Sequence, residues 1–350
     1  MKTSNVSNLA IQNAMRLTIQ QSQNQLVEAQ TEVTTGKYAD VGAELGADTA
    51  VALDLNRDVL RLQSLIDTNS IAEQRLEASE EAMNQMAASG QNMMDALVAL
   101  SGSQDSTSLA VATRSISDAL DSFTSMANTS VNGEYLFSGI NTDVQPLDNY
   151  LDAGSPAKAA FDAEFLTYFG FSQTDPGTAG ITAAQMDDFL TNVVEPMFSG
   201  ADWTTNWSNA TDESMTSRIS KTEVVETSTS INADGMRNFA MAAVVSIELL
   251  GLDLQGDVRK VVSDKAIAYT GIAVTGINEE RTQLGLSQDR VTRANESLAV
   301  QKDIIENNLS DLVGVDAYEA STRVNNLLSL VETSYTLTSR IQQLSLVNFL

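Results

Sequence analysis

Apolar residues recur every seven positions along two long stretches of this chain. In the first, Leu55, Leu62, Asn69, Leu76, Met83, Gly90 and Leu97 stand seven apart, with Val59, Ile66, Met86, Met93 and Leu100 forming a second row. In the other, Ile277, Leu284, Val291, Leu298, Ile305 and Leu312 repeat at the same interval, and Leu309 adds a second seam position. A period of seven keeps one apolar seam facing one partner helix over many turns, so both stretches predict long helices that pack on each other. Asn69 and Gly90 interrupt the first seam; a polar residue there sets register, and a glycine allows close approach. A third row, Leu109, Ile116, Leu120, Phe123 and Ala127, follows the break at Ser101-Gly102-Ser103 and predicts a helix folded back on its predecessor. The plainer reading of these rows is a generic helical bundle. Met83, Met86, Met93 and Met94 fit that reading as gap fillers, and an interface that repacks is the alternative.

Proline marks the boundaries. Pro146, Pro156, Pro176 and Pro196 all lie in one central stretch, and the flanks contain none, which permits long helices on both sides. Trp203, Trp207 and six of the ten phenylalanines are central too. The fold class expected is mainly α: a long antiparallel helical rod built from both chain ends, with a small β-rich or mixed insertion. The division expected is 1–45 with 314–350 as an inner terminal coiled coil, 46–143 with 235–313 as the rod, and 144–234 as an outward-facing insertion. Val, Thr and Ser between Arg218 and Ile231 suggest a strand pair.

The two ends carry stripes that seek neighbours. Ile11, Met15, Ile19, Leu26 and Val33 lie along a Gln- and Asn-rich segment. Val324, Leu327, Leu328, Val331, Tyr335, Ile341 and Leu344 lie along the other end, and Leu344–Leu350 is apolar almost all round. Burying one such side chain is worth about 1.5–3 kcal/mol. These residues are the candidate assembly interface; the plainer reading is a terminal helix docked on its own core.

Composition narrows the chemistry. The 350 residues include no Cys and no His, which removes thiolate and imidazole catalysis and the nitrogen and sulfur ligands of zinc. A net charge of −26, from 46 acidic and 20 basic residues, repels nucleic acid and anionic membranes. No apolar run is long enough to span a membrane, and Met1–Ser7 lacks the apolar core of a cleaved signal. Gly36-Lys37 fails as a phosphate loop, because Thr31 and Tyr38 stand where glycine and a hydroxyl residue of that motif belong. Asp187, Asp188 and Glu195 lack any cation-loop spacing and read as solvated carboxylates. No catalytic, cofactor or metal residues are assigned, and no enzyme activity is expected.

Certain motifs resemble a known family. Ala127-Asn128, Gly133-Glu134-Tyr135-Leu136-Phe137-Ser138-Gly139 and Asn141-Thr142 resemble the signature after the central helix of flagellar hook-associated proteins of the hook–filament junction type (FlgL-like). Thr35-Gly36-Lys37 is similar to the turn between the first two helices of the flagellin superfamily. The Ala39–Gly46 segment departs from the family pattern. Asp316-Ala317-Tyr318-Glu319-Ala320 and the closing Leu344-Ser345-Leu346 with Phe349-Leu350 match its C-terminus. In the turn from rod to insertion, Tyr135 and Phe137 would anchor, and Gly133 and Gly139 would permit, the change of direction. The resemblance implies a structural subunit that joins hook to filament. It implies export through the flagellar type III channel without a cleaved signal, and an extracellular place in the bacterial flagellum. Its implied partners are copies of itself, an adjacent hook-associated protein, flagellin, and an export chaperone. The alternatives are a flagellin filament subunit and an intracellular coiled-coil scaffold or signalling protein.

Overall fold

The computed structural model describes residues 8–102 and 105–347. The chain divides into two compact units, residues 1–64 with 298–350 and residues 65–297. In chain order the elements are α1 (Asn8–Thr35), α2 (Val41–Leu45), α3 (Thr49–Gly102), α4 (Ser106–Ala127) and a hairpin of β1 (Ser130–Val131) and β2 (Glu134–Tyr135). Short helices follow: α5 (Pro156–Phe169), α6 (Ala183–Phe189), α7 (Glu195–Ser199) and α8 (Ala201–Asn206). A second hairpin, β3 (Thr216–Arg218) and β4 (Val224–Glu226), leads to α9 (Asp234–Leu249), α10 (Gly256–Val313) and α11 (Ala317–Val347).

Within 65–297, α3 and α10 run antiparallel along their predicted seams. Leu76, Met83, Met86, Met93 and Leu97 on α3 and Ile277, Leu284 and Val291 on α10 are all buried. Polar pairs fix the register: Asn69 Nδ2 donates to Asn295 Oδ1 at 2.9 Å, Thr292 Oγ1 donates to Glu73 Oε1 at 2.9 Å, and Arg281 pairs with Glu80. Asn69 is fully buried and also donates to the Ile219 carbonyl at 3.0 Å. Met83, Met86 and Met93 are fully buried core residues, as the plainer reading had it, and Met94 is half-buried.

Helix α4 starts where the Asp105 carboxylate caps the Thr107 and Ser108 amides. It folds back along α3, with Ser89 and Ser122 hydroxyls 3.2 Å apart, and Phe123 stacks on Phe239 of α9 at 4.2 Å. Helix α9 is apolar on nearly every face, from Met236 to Leu249, and is buried accordingly. Its entry depends on two glycines. A Cβ on Gly235 would lie 2.6 Å from the Ile277 amide nitrogen, and one on Gly276 would lie 2.7 Å from the Gly235 Cα. At Gly90 the obstacle is a side chain, the Val274 Cγ2 at 2.8 Å.

The insertion is mixed and mostly helical. The strand pair expected from 218 to 231 forms earlier in the chain, as β3–β4 with its first strand ending at Arg218, and residues 227–232 continue as buried irregular chain. Pro196 has no N–H for the carbonyl four residues before it, and the helix widens to a π turn over Leu190–Val194. Aromatic rings fill the interior. Phe165 meets Phe169 at 4.6 Å and Phe189 at 5.6 Å, and Tyr150, Trp207 and Trp203 stack in series at 5.1 and 5.5 Å. The Trp203 indole N–H donates to Asn232 Oδ1 at 2.7 Å. Glu248 accepts from the Tyr150 hydroxyl at 2.9 Å and from Lys158 Nζ at 2.8 Å.

Burial, and then the Glu248 charge and hydrogen bond, push the Tyr150 phenol well above its usual pKa of 10.0; burial and Glu195 do the same to Tyr269. Both phenols therefore contribute stability that is present below about pH 10 and is lost as the unfolded chain deprotonates first. Tyr150→Phe is expected to lower stability at neutral pH by about 1 kcal/mol. It should also flatten the loss above pH 10, as read by urea unfolding at pH 7 to 11. Gly235→Ala is expected to cost roughly 2 kcal/mol or more because backbone blocks its Cβ. Gly90→Ala should cost less, because Val274 can rotate and alanine gains helix propensity.

Candidate assembly interface and turn region

In the unit of the two chain ends, α1 and α11 pair antiparallel. Gln23 Nε2 donates to the Tyr335 hydroxyl at 2.7 Å, and the Arg323 guanidinium meets the buried Glu32 carboxylate at 3.1 Å. The pairing closes at Gly36, whose φ of +67° turns the chain so that its carbonyl accepts the Val315 amide at 3.0 Å. Tyr38 N–H reciprocates to the Val313 carbonyl at 3.0 Å. The Asp316 carboxylate caps α11 through the Tyr318 and Glu319 amides.

The predicted stripe residues divide between two environments. Ile19 and Val331 are buried in this unit, with Ala29 and Ala320, and Ile11, Met15, Leu26, Val324 and Leu327 are half-buried. Val33, Leu328 and Tyr335 are exposed. Ile341 and Leu344 lie on the last turns of α11 but their side chains are outside the described ones, and residues 348–350 of the closing segment lie outside the described residues altogether, as does Ser103. The stripe prediction omitted a second apolar set. Leu17, Val27, Leu330 and Leu337 are 47 to 62% exposed, on surfaces that α1 and α11 do not give each other. Simple helical spacing from Val27, or from Leu330 to Leu337, could have found them.

The turn after α4 is built in three steps. The Asn128 side chain ends the helix and pairs with Leu147 as a strand would: its Nδ2 donates to the Leu147 carbonyl at 2.9 Å, and its Oδ1 accepts the Leu147 amide at 3.1 Å. Next, Asn132 and Gly133, at φ of 55° and 85°, make the two-residue turn between β1 and β2. Consecutive positive φ is what a tight type I′ hairpin requires, and Asn-Gly is its strongest sequence signal. Last, the chain passes Gly139 at φ of 66°, where a Cβ would lie 2.4 Å from the Thr211 carbonyl oxygen.

Arg75 on α3 holds this turn from below. Its side chain is 9% exposed, with Nη1 2.9 Å from Glu134 Oε2 and Nη2 donating to the Tyr135 carbonyl at 2.7 Å. Burial lowers the guanidinium pKa, and the Glu134 charge and hydrogen bond oppose that. Tyr135 is half-buried, and its N–H donates to the Thr142 carbonyl at 2.8 Å. Phe137 is fully buried, and its carbonyl accepts the Ile231 amide at 2.9 Å. The structure thus brings Gly133, Tyr135, Phe137 and Gly139 into one turn. Arg75 was not legible as part of it, since about 60 residues separate it from its partners.

The central carboxylates are engaged with neighbouring side chains. Lys265 Nζ lies 3.4 Å from Glu195 and 3.7 Å from Asp187, Tyr269 donates to Glu195 at 2.7 Å, and Asp188 accepts from Tyr168 and Asn192. Among the described residues no group of three acidic side chains is placed to hold a metal ion, and no helix is long and apolar enough to cross a membrane.

Residues 6–142 match the N-terminal helical region of bacterial flagellin, and residues 267–350 match its C-terminal helical region. No curated protein matches the chain in sequence. Among solved structures, a Vibrio parahaemolyticus protein assigned to the flagellar hook-associated proteins shares the fold with a TM-score of 0.54 at 10% identity. The likeness covers 77% of this chain and 99% of that one.

The two turn glycines differ in what surrounds them. Gly139→Ala is expected to cost roughly 2–4 kcal/mol, from positive φ and a backbone clash together. Gly133→Ala, with open space around it, should cost only about 1–2 kcal/mol. Thermal unfolding followed by tryptophan fluorescence would rank the two.

Proposed function

This chain belongs to the flagellin superfamily, and from that membership we propose that it is the structural adaptor joining the hook to the filament of the bacterial flagellum. The superfamily is structural rather than enzymatic, and its members assemble into flagellar polymers. The observation that carries the finer reading is the Gly133–Gly139 turn, whose sequence resembles the junction type. The fold likeness to a hook-associated protein supports it.

In this reading three regions have separate tasks. The pair 1–45 with 314–350 is the inner coiled coil, 46–143 with 235–313 is the helical body, and 144–234 faces outward. The assembly residues are Ile11, Met15, Ile19, Leu26, Val33, Val324, Leu327, Val331, Tyr335, Ile341 and Leu344. Gly133, Tyr135, Phe137 and Gly139 lead the chain into the insertion. Copies of the chain, an adjacent hook-associated protein and flagellin are its neighbours in the flagellum. The exposed Leu17, Val27, Leu330 and Leu337 supply further apolar surface; each is about half exposed, so burying the remainder would yield roughly 1 kcal/mol apiece. The chain reaches its place through the flagellar type III channel, held beforehand by a cytoplasmic chaperone.

A filament subunit is the second reading, favoured by the match to both flagellin regions. Deletion of the gene separates the two. A junction adaptor predicts hooks without filaments and flagellin shed into the medium by electron microscopy and immunoblot; normal filaments would exclude an essential junction role. Leu327→Asp and Leu330→Asp are expected to abolish incorporation while leaving the thermal unfolding of 65–297 unchanged. Normal filament numbers in both variants would remove the terminal helices from the assembly mechanism.

A further inference from the structure

The β3–β4 hairpin has an unused edge. Among the described residues the two strands form a ladder with no third strand on either side. Ile219 N–H donates to the Glu223 carbonyl at 3.1 Å, and Thr227 N–H donates to the Met215 carbonyl at 2.8 Å. Antiparallel pairs alternate, so Ser217–Val225 between them is a hydrogen-bonded pair, and Thr216–Glu226 and Arg218–Val224 are not. The N–H and C=O groups of Val224 and Glu226 therefore point away from β3, and among the described residues no backbone group bonds to them. Natural sheets usually cover or blunt such an edge.

This edge opens on a cleft of about 610 Å³ whose far wall is α10. Gln283, Ser287 and Arg290 face the cleft at intervals of four and three along one helix face. Buried Leu284 and Val225 line its interior, and exposed Val224 and Leu286 give it an apolar rim. Unpaired strand backbone beside a groove with apolar and polar wall positions is the geometry by which an extended peptide joins a sheet.

Charge selects the occupant. Asp212, Glu226 and Glu280 line the cleft against Arg237 and Arg290. Arg237 donates to the Asn232 and Ser199 carbonyls, Asp212 accepts from Asn232 Nδ2 at 2.8 Å and Glu280 from Thr229 Oγ1 at 2.6 Å; bonds to neutral groups leave each charge in place, so three carboxylates face two guanidiniums. The surrounding residues 65–297 hold 33 of the 46 acidic residues and only 12 of the 20 basic ones. Such a field draws in cationic segments and repels a second copy of the same unit. We propose that the cleft between β4 and α10 binds an extended, lysine- or arginine-bearing peptide segment of a partner protein, added as a strand along β4. This inference is independent of the junction role.

The test uses the full chain and fluorescein-labelled seven-residue peptides: Lys-Val-Thr-Val-Lys-Val-Thr, the same peptide with Glu for Lys, and the Lys peptide N-methylated at alternate residues. Fluorescence anisotropy is expected to show saturable binding of the Lys peptide, roughly tenfold tighter than the Glu peptide. Val224→Pro removes an N–H of the free edge and should weaken binding about tenfold. Thr216→Pro places the same burden on the hairpin but removes an N–H facing the opposite edge, so binding should be unchanged. Glu226→Lys should narrow the charge preference. N-methylation on the edge-facing side should abolish binding to the unaltered protein, a result that does not depend on how the proline variants fold. No saturable binding of the Lys peptide, equal binding of the methylated peptide, or tighter binding of the Glu peptide would overturn the proposal.

Discussion

The antiparallel seam between α3 and α10 is the constraint on which residues 65–297 depend. Aliphatic and methionine side chains supply its free energy without specifying where along 54- and 58-residue helices the two should meet. A heptad repeat is nearly invariant to a slip of seven. The buried Asn69–Asn295 pair, the Glu73–Thr292 bond and the Glu80–Arg281 ion pair remove that degeneracy, because a slipped register would bury polar groups without partners. The glycines at 90, 235 and 276 then let α9 and α10 approach closely enough for Phe239 to reach Phe123.

The unit formed by the chain ends follows different physics. Its α1–α11 seam is thin, with Ala29 and Ala320 among its buried positions, and the register rests on the Glu32–Arg323 pair and the backbone exchange at Gly36 and Val315. Larger apolar side chains are left in water on both helices. An isolated helix pair gains little by exposing leucine, whereas a subunit that assembles recovers that area from its neighbours.

The insertion reconciles a dense negative charge with a compact interior. Its aromatic rings supply burial, and cations sit between its carboxylates and their neighbours: its own Lys158 between Asp162 and Glu248, and Lys265 of α10 between Asp187 and Glu195. Tyr150 and Tyr269 donate into the same carboxylates and lower the cost of holding them near the core.

Local pattern determined much of this protein. Seven-residue periodicity marked α3 and α10 and their mutual seam, the confinement of proline marked the insertion, and the glycine-flanked aromatic motif marked the turn after α4. Asn132-Gly133 carried a hairpin signal of its own that the family resemblance overshadowed. These features were legible because each is set by neighbours within a few residues: helix period, φ restriction, turn chemistry. Tertiary structure alone decided the rest. Arg75 meets the turn across some 60 residues, Thr211 closes on Gly139 across 72, and the mostly helical insertion forms around ring contacts between elements that no period links. Which apolar stripe of α1 and α11 is spent inside the chain and which is left outward was likewise settled only by packing. Periodicity shows that a helix has an apolar face, but the partner geometry chooses the side chains that face fills first.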